Sequence, residues 1–425
     1  MRKVHNARLV VIAIIAVVSF SSLSVRKASA LELYNNDALL TRLKKNQVVS
    51  EKDIVEVKNS YPKVELMGSL QLRYVNGLDT ASPDSVSDLY INRLNLRVVA
   101  HLTEKTSFVI QPEYGRGESL IKDAYLRYSQ SGLDIFAGNH RVPFGADALK
   151  NDINLTFVDR NLASRISPDY LPGASVGTTL LGSKLMAQVG MWNGNINSKA
   201  EAKLINNSLA DAQIFSSTAG ASGSNIIIEA LRLAYSSKGH STFYPGGRSF
   251  DDDENFSKSM SYGGGFSYYN SAAIHDKAST VSLVGLNGAS AYEIDLFFKM
   301  WRLSTEFEYA KRTLDWWQYS AATTSNSLVS STQTSVAIQA SAIVIDNLSL
   351  STRYETFTYD GKGSVLKGMY GQDKDNWFTL GINYYFKEQH TKVQANYINK
   401  AEVMPDGVTA PSTSNALYLQ ATMYF

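Results

Sequence analysis

The residues with the clearest chemistry are charged and amide side chains that recur at every second position over long stretches of the chain. In VELMGSLQLRY, residues 64–74, Glu65, Gln71 and Arg73 share one parity, while leucines lie at the other. Alternation at period two places such groups on one face of a strand. A guanidinium binds anions through its charge and its paired N–H donors, so the pattern predicts a wall of fixed positive charge. The arginines that the alternation assigns to this wall are Arg73, Arg93, Arg97 and Arg127.

Acidic side chains share the same predicted face, and their proportion rises along the chain. Those assigned to the first half are Glu65, Glu113 and Asp123. Those assigned to the second half are Glu293, Asp295, Glu306, Glu308 and Glu355, opposed by Arg353 and Lys392. Opposed walls of charge would orient dipolar solutes and give a mild preference for anions. The alternative for each arginine is a cross-strand pair with a neighbouring acid that stiffens the wall.

Motifs for covalent or metal chemistry are weak by comparison. GASVG, residues 173–177, matches the letters of a nucleophile elbow, but that elbow needs a turn from a strand into a helix. Here a loop leads into a strand instead. The six histidines include no H-E-x-x-H motif and no paired spacing for zinc. We therefore expect no enzyme activity, no cofactor and no metal site.

The elements that carry the alternation are predicted strands of about 9–11 residues, the length that crosses a bilayer at a tilt. A large soluble all-β protein is the alternative, but it would pack its inward positions with apolar residues. Here the second face carries Arg, Glu, Gln and Asn, which cannot be buried dry without partners. A water-filled lumen satisfies them. We predict an all-β fold, a transmembrane antiparallel β-barrel of about 16 strands.

Connections of alternating length support the barrel, since outer-membrane barrels have short turns on one side and long loops on the other. Short turns are predicted at 103–105, 129–132, 182–183, 300–302, 345–347 and 387–390. Long polar loops are predicted near 75–88, 141–173, 194–224, 270–290, 313–333, 360–374 and 400–414. The segment 236–258 breaks the rule, because it is long where a short turn is due.

The N-terminus has the features of an exported chain. Basic residues precede the apolar stretch 9–20, and Ala28-Ser29-Ala30 supplies a cleavage site, so residues 1–30 are a predicted signal peptide. Residues 31–63 have helical spacing and are a predicted short periplasmic segment, and 64–425 form the predicted barrel. The chain has no cysteine, which suits an oxidising compartment. Removing the five basic residues of the signal changes the formal net charge from +2 to −3, which gives no reason to expect nucleic acid as a partner.

A family resemblance rests on several short motifs in one order. GNHRVPFG, residues 138–145, resembles the GQFKVPFG turn of the phosphate-selective porin O and P family. KDAYLRY precedes it, PGASVGTTLLG and GMWNG follow, and LSLSTRYE and GINYYF come near the C-terminus. The resemblance covers 64–425. It implies a sixteen-stranded porin, a homotrimer, and a third extracellular loop, 141–173, that folds inward as the constriction.

The same resemblance implies which loop residues lie in the pore. They are Arg141, Arg160 and Arg165. Phosphate-specific members of the family carry a lysine cluster at the narrowest point, whereas this loop has only Lys150 besides its arginines. The family's Arg-Asp pair before the following glycine is here Ala174-Ser175. We therefore expect general anion-leaning permeation rather than tight phosphate binding.

The expected function is passive diffusion of small hydrophilic or anionic solutes, phosphate among the candidates, across a bacterial outer membrane. Two alternatives from other classes stay open. One is a structural barrel that sheaths an envelope electron-transfer complex, and the other is a barrel enzyme acting on lipid, which would need a nucleophile and base on its outer wall. Besides solutes, the expected partners are outer-membrane lipid and the assembly machinery, which would read the C-terminal Phe425.

The first testable prediction concerns that assembly signal. The last residues, NALYLQATMYF, alternate apolar and polar groups and end on Phe425. Deleting Phe425, or replacing it with Asp, should leave periplasmic chain that proteases degrade. Fractionation and protease treatment of cells measure this, and a normal yield of folded barrel from both variants would contradict it.

Overall fold

The structure, a computed structural model, describes residues 61–77, 87–116, 118–193, 227–239, 260–272, 284–320, 325–361, 374–386, 391–403 and 412–424. The predicted signal peptide, residues 31–60 of the predicted helical segment, and Phe425 lie outside the described residues. Within these ranges, the helices are too short or too polar to cross a membrane.

Sixteen antiparallel strands in the described ranges form one closed barrel, as the alternation predicted. Each strand pairs with its neighbours in the chain, and β1 pairs with β16 in a register that runs from Ser69 opposite Tyr424 to Gly77 opposite Ala416. The strands are β1 (Lys63–Gly77), β2 (Asp88–His101), β3 (Thr106–Gly115), β4 (Glu118–Gln130), β5 (Leu133–Arg141), β6 (Tyr170–Leu180), β7 (Leu185–Asn193), β8 (Ile227–Ser236), β9 (Ser261–Ala272), β10 (Val284–Met300), β11 (Leu303–Ser320), β12 (Ser325–Ile345), β13 (Leu348–Gly361), β14 (Lys374–Tyr385), β15 (Thr391–Val403) and β16 (Ser412–Tyr424).

The two faces of the barrel have opposite polarity. Leu96, Leu380 and Ile382 are exposed on the outside, whereas Gln394 and Asn396 are buried inside. A water-soluble sheet would place these residue types the other way round. Lipid covers an apolar outer face, and a polar interior holds water and polar side chains.

The turns follow the predicted alternation, with two departures on the rim of long loops, one of which is the two-residue connection 116–117 between β3 and β4. The connection between β8 and β9 spans 237–260, long on the rim of short turns, as predicted. The long loop predicted near 313–333 is wrong. β11 continues to Ser320 and β12 already begins at Ser325, so only residues 321–324 separate the two strands. These strands have 18 and 21 residues, more than a bilayer crossing needs. Polar residues stand at both parities of SNSLVSSTQTS, so the alternation fades there while the backbone ladder continues.

The packed core lies inside the barrel, between the wall and loop 3, which we define as residues 142–169 between β5 and β6. Loop 3 contains helix α1 (Ala146–Leu149) and two 3₁₀ turns, Asp152–Asn154 and Leu162–Ile166. Val142, Phe144 and Ile166 of the loop are buried against the wall. Small inward residues of β8, β10 and β11 make room for them, namely Ala230, Ala289, Ala291 and Ala310.

Candidate pore constriction

Loop 3 crosses the barrel interior, and side chains of the wall bind its backbone. The N–H of Leu162 donates to Glu355 Oε1 at 2.7 Å, and the N–H of Val158 donates to Asn396 Oδ1 at 2.7 Å. Bonds of the same kind join Lys392 and Gln394 to the Leu155 carbonyl, and Glu293 and Glu308 to the first N–H groups of α1. A buried backbone group without a partner costs about 1–3 kcal/mol, so the polar wall favours the docked loop.

Two glycines, Gly145 and Gly381, allow the loop to take its position. Gly145 has a φ of 80° immediately before α1, in the region that favours glycine. On the far wall, the Phe157 ring lies against Gly381, where a Cβ would come within 3.0 Å of a ring carbon. The Arg353 guanidinium lies 4.6 Å from the centre of the same ring. Phe157 is therefore held between a cation and a position that must stay small.

A dense group of charges surrounds Asp152 of loop 3. We call Arg93, Lys122 and Arg160 the cation triad. Arg93 Nη1 lies 2.5 Å from Asp152 Oδ1, Arg160 Nη2 lies 2.6 Å from the same oxygen, and Lys122 Nζ lies 2.8 Å from Oδ2. Glu113 contributes a second carboxylate, 2.5 Å from Lys122 Nζ. Both oxygens of Asp152 are thus bound by cations from β2, β4 and the loop itself.

Two β-bulges deliver the wall members of the triad. The register of β1 with β2 shifts so that Asn92 and Arg93 occupy the place of one residue, and both turn inward. The register of β3 with β4 shifts in the same way at Lys122 and Asp123. A bulge places an extra residue in one strand and re-aims its side chain. Simple alternation assigned Arg93 and Asp123 to the lumen but missed Lys122, because a bulge interrupts the period.

Three carboxylates of loop 3, those of Asp147, Asp152 and Asp159, are held in the charged form. Burial alone would raise the pKa of Asp152, but the charges of Arg93, Lys122 and Arg160 hold it well below its usual range. For Asp159 burial also opposes ionisation, yet Arg73 and Arg116 lower its pKa to about 2. Burial likewise opposes ionisation of Asp147, and Lys150 and Arg160 lower its pKa. These loop acids are therefore anions at neutral pH.

The structure separates the predicted arginines into two groups. Arg73 and Arg141 are covered by loop 3 and hold it. Arg73 Nη1 donates to Asp159 Oδ1 at 2.8 Å, and Arg141 Nη1 donates to the carbonyl of Ala148 at 2.7 Å. The second group keeps some contact with the lumen and comprises Arg93, Arg97, Arg127, Arg160 and Arg165.

In that second group the acid is less accessible than the arginine it binds. The Arg93 side chain is 23% exposed against 5% for Asp152, Arg97 21% against 1% for Asp123, and Arg127 36% against 6% for Asp134. Other pairs are the reverse: Arg73 with Asp159 at 2% and 27%, Arg141 with Asp169 at 4% and 53%, Lys122 with Glu113 at 8% and 12%, and Lys150 with Glu306 at 11% and 17%. The arginines of the second group thus meet water more than the acids that they bind.

The three loop cations make their shortest ion pairs with three different acids. Lys150 binds Glu306, while Arg165 Nη1 lies 2.9 Å from Asp375 Oδ2, and its guanidinium lies 4.9 Å from the Trp377 ring. Arg160 alone among the three joins the group around Asp152.

The second half of the barrel holds cations that the sequence reasoning missed. Arg232 of β8 lies 3.0 Å from Glu293 and 2.6 Å from Asp295, and Arg312 Nε donates to Gln333 at 2.7 Å. Arg232 has the same parity along the strand as Ser236, whereas Leu231 and Leu233 have the other parity. This alternation could have identified Arg232 as a residue of the lumen face. Apolar Ile228 and Ala230 on the same inward face obscured it. Loop 3 also covers most of the predicted acidic wall, since Glu293, Glu308 and Glu355 are buried.

A histidine–serine contact lies inside the wall, although none was visible from the sequence. His140 Nδ1 lies 2.8 Å from the Gly138 carbonyl, and Nε2 lies 3.0 Å from Ser175 Oγ. Since a carbonyl only accepts, the neutral ring donates from Nδ1 and accepts the serine hydroxyl at Nε2. Both side chains are buried on the inward side, away from lipid, and GASVG lies within β6 rather than at a strand-to-helix turn.

Comparison with protein families agrees with the resemblance noted in the sequence. Residues 64–217 match the family described as phosphate-selective porin O and P. A search of curated protein sequences found no match.

Several solved structures share the fold. The outer membrane channel DcaP of Acinetobacter baumannii is 13% identical, with a TM-score of 0.54 over 86% of this chain and 97% of that one. OmpF of Salmonella typhi, in complex with daunomycin, is 12% identical, with a TM-score of 0.52 over 86% and 98%. The trimer form of OmpT of Vibrio cholerae is 13% identical, with a TM-score of 0.51 over 86% and 100%. Together with the family match, the fold supports a channel for passive diffusion in the bacterial outer membrane.

The fit of Phe157 against Gly381 gives a second testable prediction. In the Gly381→Val variant the added methyl groups displace the ring, and overpacking of this kind costs about 1–3 kcal/mol. We expect loop 3 to become sensitive to protease and the single-channel conductance to rise. In the double variant Gly381→Val/Phe157→Ala the ring is absent, so the valine has space and the barrel should fold normally. This control separates a clash with the ring from a general defect of the wall. Wild-type conductance and wild-type protease resistance in Gly381→Val would contradict the docking of loop 3 against this wall.

The lowered pKa values give a third prediction. A depressed pKa contributes stability above the unfolded value of 3.8, and that stability is lost as the pH falls through the folded value of about 2 for Asp159. Loop 3 should therefore resist pepsin near pH 4 and be cleaved near about pH 2. The Asp159→Asn variant should be cleaved at both values, because Arg73 has lost its charged partner. Equal cleavage of the wild type at both pH values would contradict this.

Proposed function

We propose that the chain is a porin whose pore, narrowed by loop 3, passes small hydrophilic solutes and prefers anions. The observation that carries the preference is that Arg93, Arg97 and Arg127 on the β2–β5 wall are more exposed than Asp152, Asp123 and Asp134, the acids that they bind. At these three pairs the acid is the less accessible partner, so a solute in the lumen meets the guanidinium edges first. Fixed charges that line a narrow pore determine which ions dwell in it.

Burial of the opposite wall strengthens the same preference. The acids of β10, β11 and β13 would attract cations if water reached them. Glu308 instead accepts from Asn161 Nδ2 at 2.7 Å, and Glu355 accepts from the backbone of Leu162. A carboxylate engaged in this way offers little to a passing cation, although Glu306 stays partly accessible at 17%. The preference for anions should therefore be moderate.

Loop 3 also bears on the alternatives. A sheath for an electron-transfer complex needs a lumen that can receive a partner, whereas here the loop binds β1, β10, β11, β13 and β15 across the interior. A lipid-acting enzyme needs its nucleophile on the outer wall, whereas His140 and Ser175 lie inside. The trimer form of the OmpT structure supports a homotrimer as the assembly we propose.

The fourth prediction tests charge preference with a matched pair. Arg127 and Asp134 form one partly exposed ion pair, with Nη2 and Oδ1 at 2.7 Å. Arg127→Gln should lower the anion-to-cation permeability ratio and Asp134→Asn should raise it. Charges in such exposed pairs contribute about 0.2–1 kcal/mol, so each change should stay below about fivefold. The measurement is the reversal potential of single channels in a salt gradient.

Two controls accompany that measurement. The double variant Arg127→Gln/Asp134→Asn removes both charges and should return close to the wild-type ratio. The variant Arg160→Ala/Arg165→Ala removes two loop cations and should lower the ratio further than Arg127→Gln. A wild-type pore that prefers cations, or that does not conduct, would overturn the proposed function.

A further inference from the structure

We propose that Asp152 is a tethered anion that occupies an oxyanion site built by the cation triad of Arg93, Lys122 and Arg160. This inference rests on the proposed function and deepens it, because it identifies the residue that keeps anion binding weak. Removing the carboxylate should expose a site for a free oxyanion such as inorganic phosphate.

The geometry around Asp152 is that of a bound ligand. Its two oxygens accept from three cationic groups at 2.5, 2.6 and 2.8 Å. Short charge-assisted bonds to guanidinium and ammonium groups are the contacts that hold carboxylate and phosphate ligands. The backbone carbonyl of Asp152 is also fixed, since Gln71 Nε2 donates to it at 3.2 Å. The carboxylate is thus positioned by the loop and not by chance rotation of one side chain.

The triad does not depend on Asp152 alone for its position. Arg160 Nη1 donates to the Asp147 carbonyl, and Nη2 donates to the Lys150 carbonyl at 2.6 Å. Lys122 is held by Glu113, and its ammonium lies 5.8 Å from the centre of the Tyr170 ring. The bulges at Arg93 and Lys122 set the backbone beneath them. A site whose groups are held by other contacts keeps its shape when its occupant is removed.

Charge favours an incoming anion once the carboxylate is gone. The triad carries three positive charges, and Glu113 is the acid that also contacts it, 2.5 Å from Lys122 and 3.9 Å from Arg93. Arg141 adds positive charge near Asp152, while Asp159 and Asp169 add negative charge near Arg93. The vacated site would therefore be net positive. Buried cations without a counter-charge are costly, so an anion from solution would bind.

Solution reaches the site from the lumen. The side chains of Arg93 and Arg160 are 23% and 16% exposed, while Asp152 itself is 5% exposed. A free anion in the native protein must displace a carboxylate that is attached to the chain and faces no loss of translational freedom on binding. Phosphate therefore competes poorly in the native pore, although every group that would bind it is present.

The test measures block of chloride current by inorganic phosphate in single channels of the full-length folded protein. Asp152→Ala should be half-blocked at a phosphate concentration lower than wild type by about tenfold or more, the equivalent of about 1.4 kcal/mol. The matched control is Asp375→Ala, which removes one buried lumen acid that binds a single arginine, Arg165. If Asp152→Ala is blocked no more strongly than Asp375→Ala, the inference is overturned.

Two further variants separate a site from a general charge effect and from misfolding. Adding Arg160→Ala to Asp152→Ala should abolish the new block, and its persistence would overturn the inference. If Asp152→Ala does not fold, Asp152→Asn keeps the shape and should show a weaker block in the same direction. If neither folds, refolding of Asp152→Ala should be rescued by acetate and not by chloride at equal ionic strength; no rescue would overturn the inference. A wild-type pore without anion preference would instead refute the proposed function.

Discussion

Closure of the barrel between β1 and β16 is the constraint on which the rest of the structure depends. Lipid offers no hydrogen-bond partners, so the edge of the first strand must pair with the last. Closure then gives every strand one face toward lipid and one toward an enclosed space. Within the bilayer, polar side chains are favoured on the enclosed face, and their donors and acceptors can bind a segment of chain inside the barrel. The docking of loop 3 thus follows from the same requirement that shapes the wall.

The fold could be predicted from the sequence wherever the period of two is uninterrupted. GINYYF and YLQATMYF keep the alternation, and β14 and β16 lie where it indicates. The prediction failed where a second physical effect overrides the period. Bulges turn Asn92 with Arg93 and Lys122 with Asp123 to the same side. In SNSLVSSTQTS of β12, polar residues stand at both parities, so the apolar signal that marks a strand is lost there.

The constriction was less accessible to sequence reasoning because its contacts join distant parts of the chain. A count of lumen charges gave nearly equal numbers of acids and bases. That count treats every charge as equally exposed, whereas loop 3 lies over Glu293, Glu308 and Glu355 and leaves Arg97 and Arg127 partly open. Nothing in the spacing of Asp152 indicates that Arg93 and Lys122 will meet it. Such pairing is set by how the loop lies across the interior, which local patterns do not encode.

The group around Asp152 shows how one loop can serve both architecture and permeation. Arg93, Lys122 and Arg160 left unpaired would repel one another and would bind anions tightly, and tight binding slows conduction because solutes must also leave. A carboxylate from the loop neutralises part of this charge and at the same time attaches the loop to β2 and β4. The residual positive field then comes from partly exposed arginines such as Arg97 and Arg127, where water screens each charge. Attraction without a deep binding site is the electrostatic condition for anions to pass rather than stay.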